Sequence, residues 1–373
     1  MKHKIIKFKP DNYYIWLIVL SFPIIYFLQN VPHITEIFTG ILAIIGLLNL
    51  FFRKRIKRTE LLQLAISFIP LFYTNSSEGI RYFLLMIAII GWSRFSCEKL
   101  ITGIKMIVIF GVIFSLAQII TGEDRITGFA DGSPTQFACI LLSCIVFILV
   151  FVFNGGEKKE LFYVAISIAL IFLTGTRTLL IGAILAFGYY FLCDSIQNSK
   201  FKNKKYLFYI LILVATVIVA IVSSGLMDVV SSKMGRTEQQ MEYSNSTRLY
   251  LIQVVLKEYI KNPIKIIFGY GSGYVEIILR KIIGFREYLP VHQDFILILT
   301  EFGILGIVVL YIFFLRKHRA KWIFLFMFLI CSFHNGILNT RNMLLMVMIM
   351  QNIEQNNYKI IPYNVQKGRK EQI

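Results

Sequence analysis

Arginines, a histidine and carboxylates interrupt an otherwise apolar chain at places where they could handle an anionic substrate. Arg177 stands in the polar link Thr174-Gly175-Thr176-Arg177-Thr178 between two apolar blocks. Arg248 follows Asn245-Ser246-Thr247, an N-cap sequence for a helix that carries Leu249, Ile252, Leu256, Tyr259 and Ile260 at helical spacing and stops at Asn262-Pro263. His292 and Asp294 stand at the mouth of a further apolar segment, with Glu301 about two turns deeper on the same helix, near the face of Asp294. His334 and Arg341 flank the last such turn as further candidates for the same cavity. Arginine grips phosphate bidentately, and a histidine can take a proton from a hydroxyl near neutral pH. Plainer alternatives stand beside each reading: an arginine that reaches to lipid headgroups, one that pairs with a distant carboxylate, a histidine that only starts a helix. The position of the charges favours chemistry, because ionisable groups in apolar segments face a cavity or a partner. No aspartate-rich metal motif accompanies them, so the expectation is a phosphate-bearing substrate handled without a metal or other cofactor.

The elements that must position these groups are helices in a membrane. The 373 residues are 57% hydrophobic and 16% charged, with a mean hydropathy of +0.68, far from the composition of a soluble domain. Apolar blocks near the ~20 residues of a bilayer-crossing helix recur almost from end to end. Their expected positions are 13–28, 34–52, 61–73, 79–92, 100–120, 136–153, 161–174, 178–193, 206–224, 293–315, 322–338 and 342–357. The fold class is therefore all-α, a single polytopic membrane domain over 1–373 with about 12 spans. The pairs 61–73/79–92 and 161–174/178–193 are short, and as re-entrant hairpins they would lower the count by two without changing the sidedness of the rest. A β-barrel would show alternating strands, which these blocks do not.

Basic residues set the orientation. Lys2, Lys4, Lys7 and Lys9, then Arg53 to Arg58, Lys158 and Lys159, 200–205, 316–321 and 367–370 all fall on one side, whereas the connections 29–33, 74–79 and 121–136 hold one arginine, Arg125, or none. Both termini are then cytoplasmic, and the one long polar stretch, 225–291, is an extracytoplasmic loop that is partly helical. The net charge of +18 is mostly this topogenic charge, with a secondary pull on anionic headgroups, and it calls for no nucleic acid. The basic, then apolar N-terminus lacks a small-residue cleavage site and is expected to stay as the first span. Cys97, Cys139, Cys144, Cys193 and Cys331 sit in or beside spans, without disulfide or zinc spacing. Phe268-Gly269-Tyr270-Gly271-Ser272-Gly273-Tyr274 has the wrong glycine spacing for a phosphate loop; it reads as a tight turn that lets backbone approach the bundle and leads into a short helix near 275–283.

The order of these motifs resembles the O-antigen polymerase and O-antigen ligase superfamily. It is carried by Thr174-Gly175-Thr176-Arg177, Arg248 leading a helix to Asn262-Pro263, Phe268-Gly269-Tyr270-Gly271, His292, and Glu301-Phe302-Gly303-Ile304-Leu305-Gly306, with Arg125-Ile126-Thr127-Gly128-Phe129 as a further element, over roughly 125–310. The resemblance implies a GT-C-like, metal-independent glycosyltransferase of the bacterial cytoplasmic membrane that uses undecaprenyl-pyrophosphate-linked glycans as donor and acceptor at the outer face. It further implies that Arg177 and Arg248 hold the pyrophosphate and that His292 is essential; the positions of the residues add Arg125 and Arg341 as further pyrophosphate candidates, and Asp294 and Glu301 beside His292 as the rest of the catalytic group. A flippase and a chain-length regulator are the implied protein partners. Gln293 stands where the family often has Asn, and the Trp often found after the loop arginine is absent.

On this reading an acceptor hydroxyl attacks the anomeric carbon while arginines hold the leaving pyrophosphate, and His292 or Asp294 orients or deprotonates the acceptor. Polymerisation of repeat units into O-antigen, capsular or exopolysaccharide is favoured. The alternatives are a ligase that transfers glycan to the lipid A core and a transporter, such as a flippase, of the same lipids. A transporter would show charged, broken helices in related halves, whereas here Lys105 and Glu301 are the main charges inside apolar segments and no internal repeat is found.

Overall fold

The structure, a computed structural model, describes residues 10–52, 84, 87–88, 97–123, 125–130, 133–197, 238–283, 291, 293–310, 326–327, 330–331, 336 and 340–355. The expected spans 61–73, 206–224 and most of 79–92 and 322–338 lie outside them, as do the N-terminal lysines, His292 and His334. Among the described residues every regular element is helical. In chain order these are α1 (Pro10–Phe27), α2 (Ile34–Phe52), α3 (Cys97–Ile120), α4 (Pro134–Phe153), α5 (Leu161–Leu173), α6 (Arg177–Gln197), α7 (Glu238–Tyr259), α8 (Pro263–Phe268), α9 (Tyr274–Ile283), α10 (Asp294–Leu310) and α11 (Thr340–Gln355).

Helix α4 is the centre. Every side chain from Phe137 to Val150 is buried, which explains why this segment is apolar all round rather than amphipathic. Ser133 caps its start by accepting from Gln136 N, and Pro134 supplies the preset φ of a first turn. Helices α3, α5, α6 and α11 pack around α4, and α1 joins through α3 and α11.

The outer faces have the opposite logic. Ile37, Ile41, Ile44, Leu48 and Phe51 form an exposed stripe on α2, and Ile109, Ile113, Leu116 and Ile120 form one on α3. Leaving such stripes in water would cost ~25 cal/mol per Å², whereas hydrocarbon costs nothing. Among the described residues three helices, Ile34–Phe51, Cys97–Ile120 and Pro134–Phe153, are long and apolar enough to cross a membrane. Helix α5, with 13 residues, is about 20 Å long and short of a ~30 Å core, as its sequence block suggested.

The half-buried charge within α3 is matched. Lys105 Nζ reaches Glu160 Oε1 at 2.9 Å and lies 5.7 Å from the Tyr163 ring centroid, at the end of the bundle where α4 hands over to α5.

Candidate functional site

At the opposite end, α3 ends, α4 begins and α5 turns into α6. The guanidinium of Arg125, in the α3–α4 connection, donates through Nε and Nη2 to the Thr174 carbonyl at 3.1 and 2.8 Å. A cation at the last carbonyls of α5 suits the negative end of that helix. Within the turn the Thr174 hydroxyl donates to Ile171 O at 2.7 Å and accepts from Thr176 N at 3.2 Å. Arg177 then opens α6, half-buried, at the positive end of that helix. The helix dipole disfavours a cation there, and an anion beside it would reverse the sign. The N-cap read at 245–247 would put Arg248 in the same position on its own helix, but in the structure only Arg177 of the two opens a helix. Arg248 is the eleventh residue of α7, which begins at Glu238, so the expected N-cap at 245–247 is corrected to mid-helix. The residues before 245 are polar and good helix formers, and they extend the helix without an apolar signal.

The Arg125 segment is held from both flanks. The Gln118 side chain accepts from Thr127 N and Gly128 N at 3.0 and 2.9 Å and donates to Thr127 Oγ1 and Gly128 O at 2.7 and 3.2 Å. Phe129 is fully buried, with ring centroids 4.9 Å from Phe22 and 5.0 Å from Phe137. A Cβ on Gly128, at φ +54°, would overlap the Phe137 ring. Arg341, 3% exposed, also meets Phe22, with its guanidinium carbon 5.6 Å from that ring centroid. Arg341 is set in place by its neighbour: Asn342 Oδ1 accepts from Ser143 Oγ on α4 at 2.9 Å, and Asn342 Nδ2 donates to Gly336 O. Sequence reasoning missed Gln118, Phe22 and Asn342. A glutamine near the end of an apolar helix and an asparagine within the last one were the available signals.

Helix α10 starts at the same end. Gln293, N-terminal to it, accepts from Phe295 N through Oε1 at 2.8 Å and from Leu297 N through its carbonyl at 3.1 Å. It therefore acts as the cap. Asp294, expected at the mouth of this segment, is the first residue of α10, and its side chain is fully buried, within electrostatic reach of the Cys139 thiol near the start of α4. Phe295 and Ile298 of α10 join the main apolar cluster, and the first residue of the helix is turned inward with them. His292 precedes this cap and lies outside the described residues.

The long polar stretch packs onto α10. Leu251 and Val255 of α7, Val275 and Leu279 of α9, and Val291 and Leu297 form a second apolar cluster. The buried face of α7 thus runs through Leu251, Val255 and Tyr259, whereas Leu249 and Ile260, expected on it, are exposed. Asn262 caps α8, accepting from Ile264 N and Lys265 N, which explains the stop read at Asn262-Pro263. Beyond α8 the glycine turn lies against α10, where Gly303 (φ 68°, ψ −170°) breaks the expected continuous helix. Tyr270 N donates to Thr300 O at 3.0 Å, Gly271 N to Glu301 O at 2.9 Å, and Gly273 N to Glu301 Oε1 at 2.9 Å. Cβ atoms on Gly269 or Gly303 would each overlap the other segment's backbone, so both glycines are required by this contact.

Among the described residues no group of three or more His, Cys, Asp and Glu has the arrangement of a metal site, and Cys97, Cys139, Cys144 and Cys331 are free thiols. The site is therefore a cation-bearing end of an all-helical, membrane-type bundle, with a helical loop fastened to one of its helices. Residues 162–311 match the family described as O-Antigen ligase, which puts this stretch, 150 of 373 residues, in the O-antigen polymerase and ligase superfamily that its motifs resembled. The match runs from α5 to the end of α10 and takes in Arg177, Arg248 and the glycine turn; Arg125 and Arg341 lie beyond it. No curated protein and no solved structure is similar to the chain.

Proposed function

We propose that the protein is a polytopic glycosyltransferase that polymerises undecaprenyl-pyrophosphate-linked repeat units at the outer face of the cytoplasmic membrane. The observation that carries this reading is Arg177 at the positive end of α6, in a turn fastened by Arg125, within the stretch that matches the O-Antigen ligase family. The donor pyrophosphate lies against Arg177, whose charge and bidentate geometry stabilise the leaving group as the glycosidic bond breaks. Arg248 adds a second cation from α7, while Arg125 holds the turn and Arg341, over the Phe22 ring, lends positive potential. His292 orients or deprotonates the acceptor hydroxyl, with Asp294 as the alternative base.

The family's description favours one second reading, transfer of the glycan to the lipid A core. The test uses purified protein in vesicles with a lipid-linked repeat unit, with and without a lipid A core acceptor. A ladder of products from the repeat unit alone supports polymerisation; a single product only when the core is present supports the ligase. In either assay Arg177→Ala should remove product and Arg177→Lys should rescue poorly, because an ammonium lacks the bidentate fork. Full activity of Arg177→Ala would overturn the site.

A further inference from the structure

The sequence offered Glu301 as a buried ionisable group for proton transfer, but its surroundings suit a different task. Gly303 takes α10 out of helical conformation, so the carbonyls just before the break are diverted from the amides four residues on. Thr300 O and Glu301 O receive Tyr270 N and Gly271 N instead. The Glu301 carboxylate continues the series by accepting from Gly273 N, directly before the first residue of α9. Three successive acceptors on the broken helix thereby take up three amides of the glycine turn, about two turns into α10 from Asp294. Irregular backbone at such a depth persists only where protein satisfies its polar groups. A carboxylate is the strongest available acceptor, and it also suits the positive end of α9.

We infer that Glu301 is a positioning residue: it fastens the glycine turn to the broken helix and so fixes α8 and α9, and with them the loop, against α10. No proton passes through it in the reaction. The inference adds to the glycosyltransferase reading for its activity arm and stands apart from it for its structural arm.

The test is a comparison of Glu301→Gln, Glu301→Asp and Glu301→Ala in the purified full-length protein. The Gln variant keeps an acceptor oxygen at the same reach but cannot exchange a proton; the Asp variant keeps the ionisable group but draws it back by one methylene. Hydrogen exchange over residues 269–276 should rise about tenfold or more in the Ala and Asp variants and by less than about threefold in Gln. Turnover of a lipid-linked repeat unit should follow the same order, Gln above Asp and Ala, with an unchanged pH profile for Gln. A proton-transfer role demands the reverse: Gln falling with Ala by ~10² to 10⁴, and Asp retaining more. That order, or unchanged exchange in all three variants, overturns the inference. If the wild-type protein turns over no lipid-linked glycan, the glycosyltransferase reading fails, and exchange alone decides the fate of the clasp.

Discussion

Arg125 and Thr174 are 49 positions apart, and the guanidinium of the first donates twice to the backbone carbonyl of the second, at 3.1 and 2.8 Å. This contact ties the α3–α4 connection to the turn that presents Arg177. Charge-assisted hydrogen bonds of this kind contribute about 1.5–3 kcal/mol. Arg125→Ala should therefore lower the midpoint of thermal unfolding in detergent and reduce product formation, with Arg125→Lys intermediate because one ammonium cannot reproduce the fork. An unchanged midpoint in Arg125→Ala would argue against the tie.

Gly128 offers a separate handle on the same segment. Its φ of +54° and its contact with the Phe137 ring both exclude a side chain. Gly128→Ala should destabilise the fold by at least the ~1–3 kcal/mol of a strained left-handed residue, read as a lower unfolding midpoint. Pairing it with a smaller residue at Phe137 should recover the steric part and leave the conformational part.

The ion pair Lys105–Glu160 lies at the other end, with side-chain exposures of 24% and 5%. Removing one partner leaves an uncompensated charge in a poorly solvated place, at a cost of about 3 kcal/mol, whereas replacing both by apolar groups is often close to neutral. Lys105→Met and Glu160→Leu should each lower stability more than the double variant does. Additive losses in a double-mutant cycle would remove the coupling.

Orientation is open to labelling. The segregated Lys and Arg residues predict that 225–291 lies outside. A cysteine at Ser231 in a cysteine-free background should react with an impermeant thiol reagent in intact cells, after outer-membrane permeabilisation where one is present, and one at Ser199 should not. Reversed labelling would invert the topology and move the substrate to the other side.

The acceptor side is addressed by His292→Ala, which should lower turnover by ~10² to 10⁴ while leaving donor binding, supplied by the arginines, nearly intact. Turnover should persist in excess chelator. A strict need for a divalent ion would replace arginine by metal as the stabiliser of the leaving pyrophosphate.

Much of the architecture was legible because burial in lipid and protein leaves a strong compositional trace. The blocks 34–52, 100–120 and 136–153 reappear as α2, α3 and α4 within a few residues, since apolar runs of that length have few other stable forms. The Asn262-Pro263 stop and the glycine turn were legible for local reasons, a side-chain cap and three backbone positions at positive φ. The start of α7 was not, because Glu238 and its successors carry no apolar period to mark a boundary.

The candidate site divides along the same line. Sequence alone determined which charges interrupt the apolar pattern, and their order was enough to suggest the superfamily, because charged residues near lipid are too costly to occur at random. Only the tertiary structure decided what each charge does. Arg125 meets Thr174 because α3 and α5 pack against each other and against α4, with their C-terminal ends side by side. Asp294 turns inward because Phe295 and Ile298 beside it join the main apolar cluster, and Glu301 meets Gly273 because Gly303 breaks the helix beside it. Those outcomes depend on which residues distant in the chain share a packed surface, and helical spacing within one segment carries no information about the neighbour it will meet.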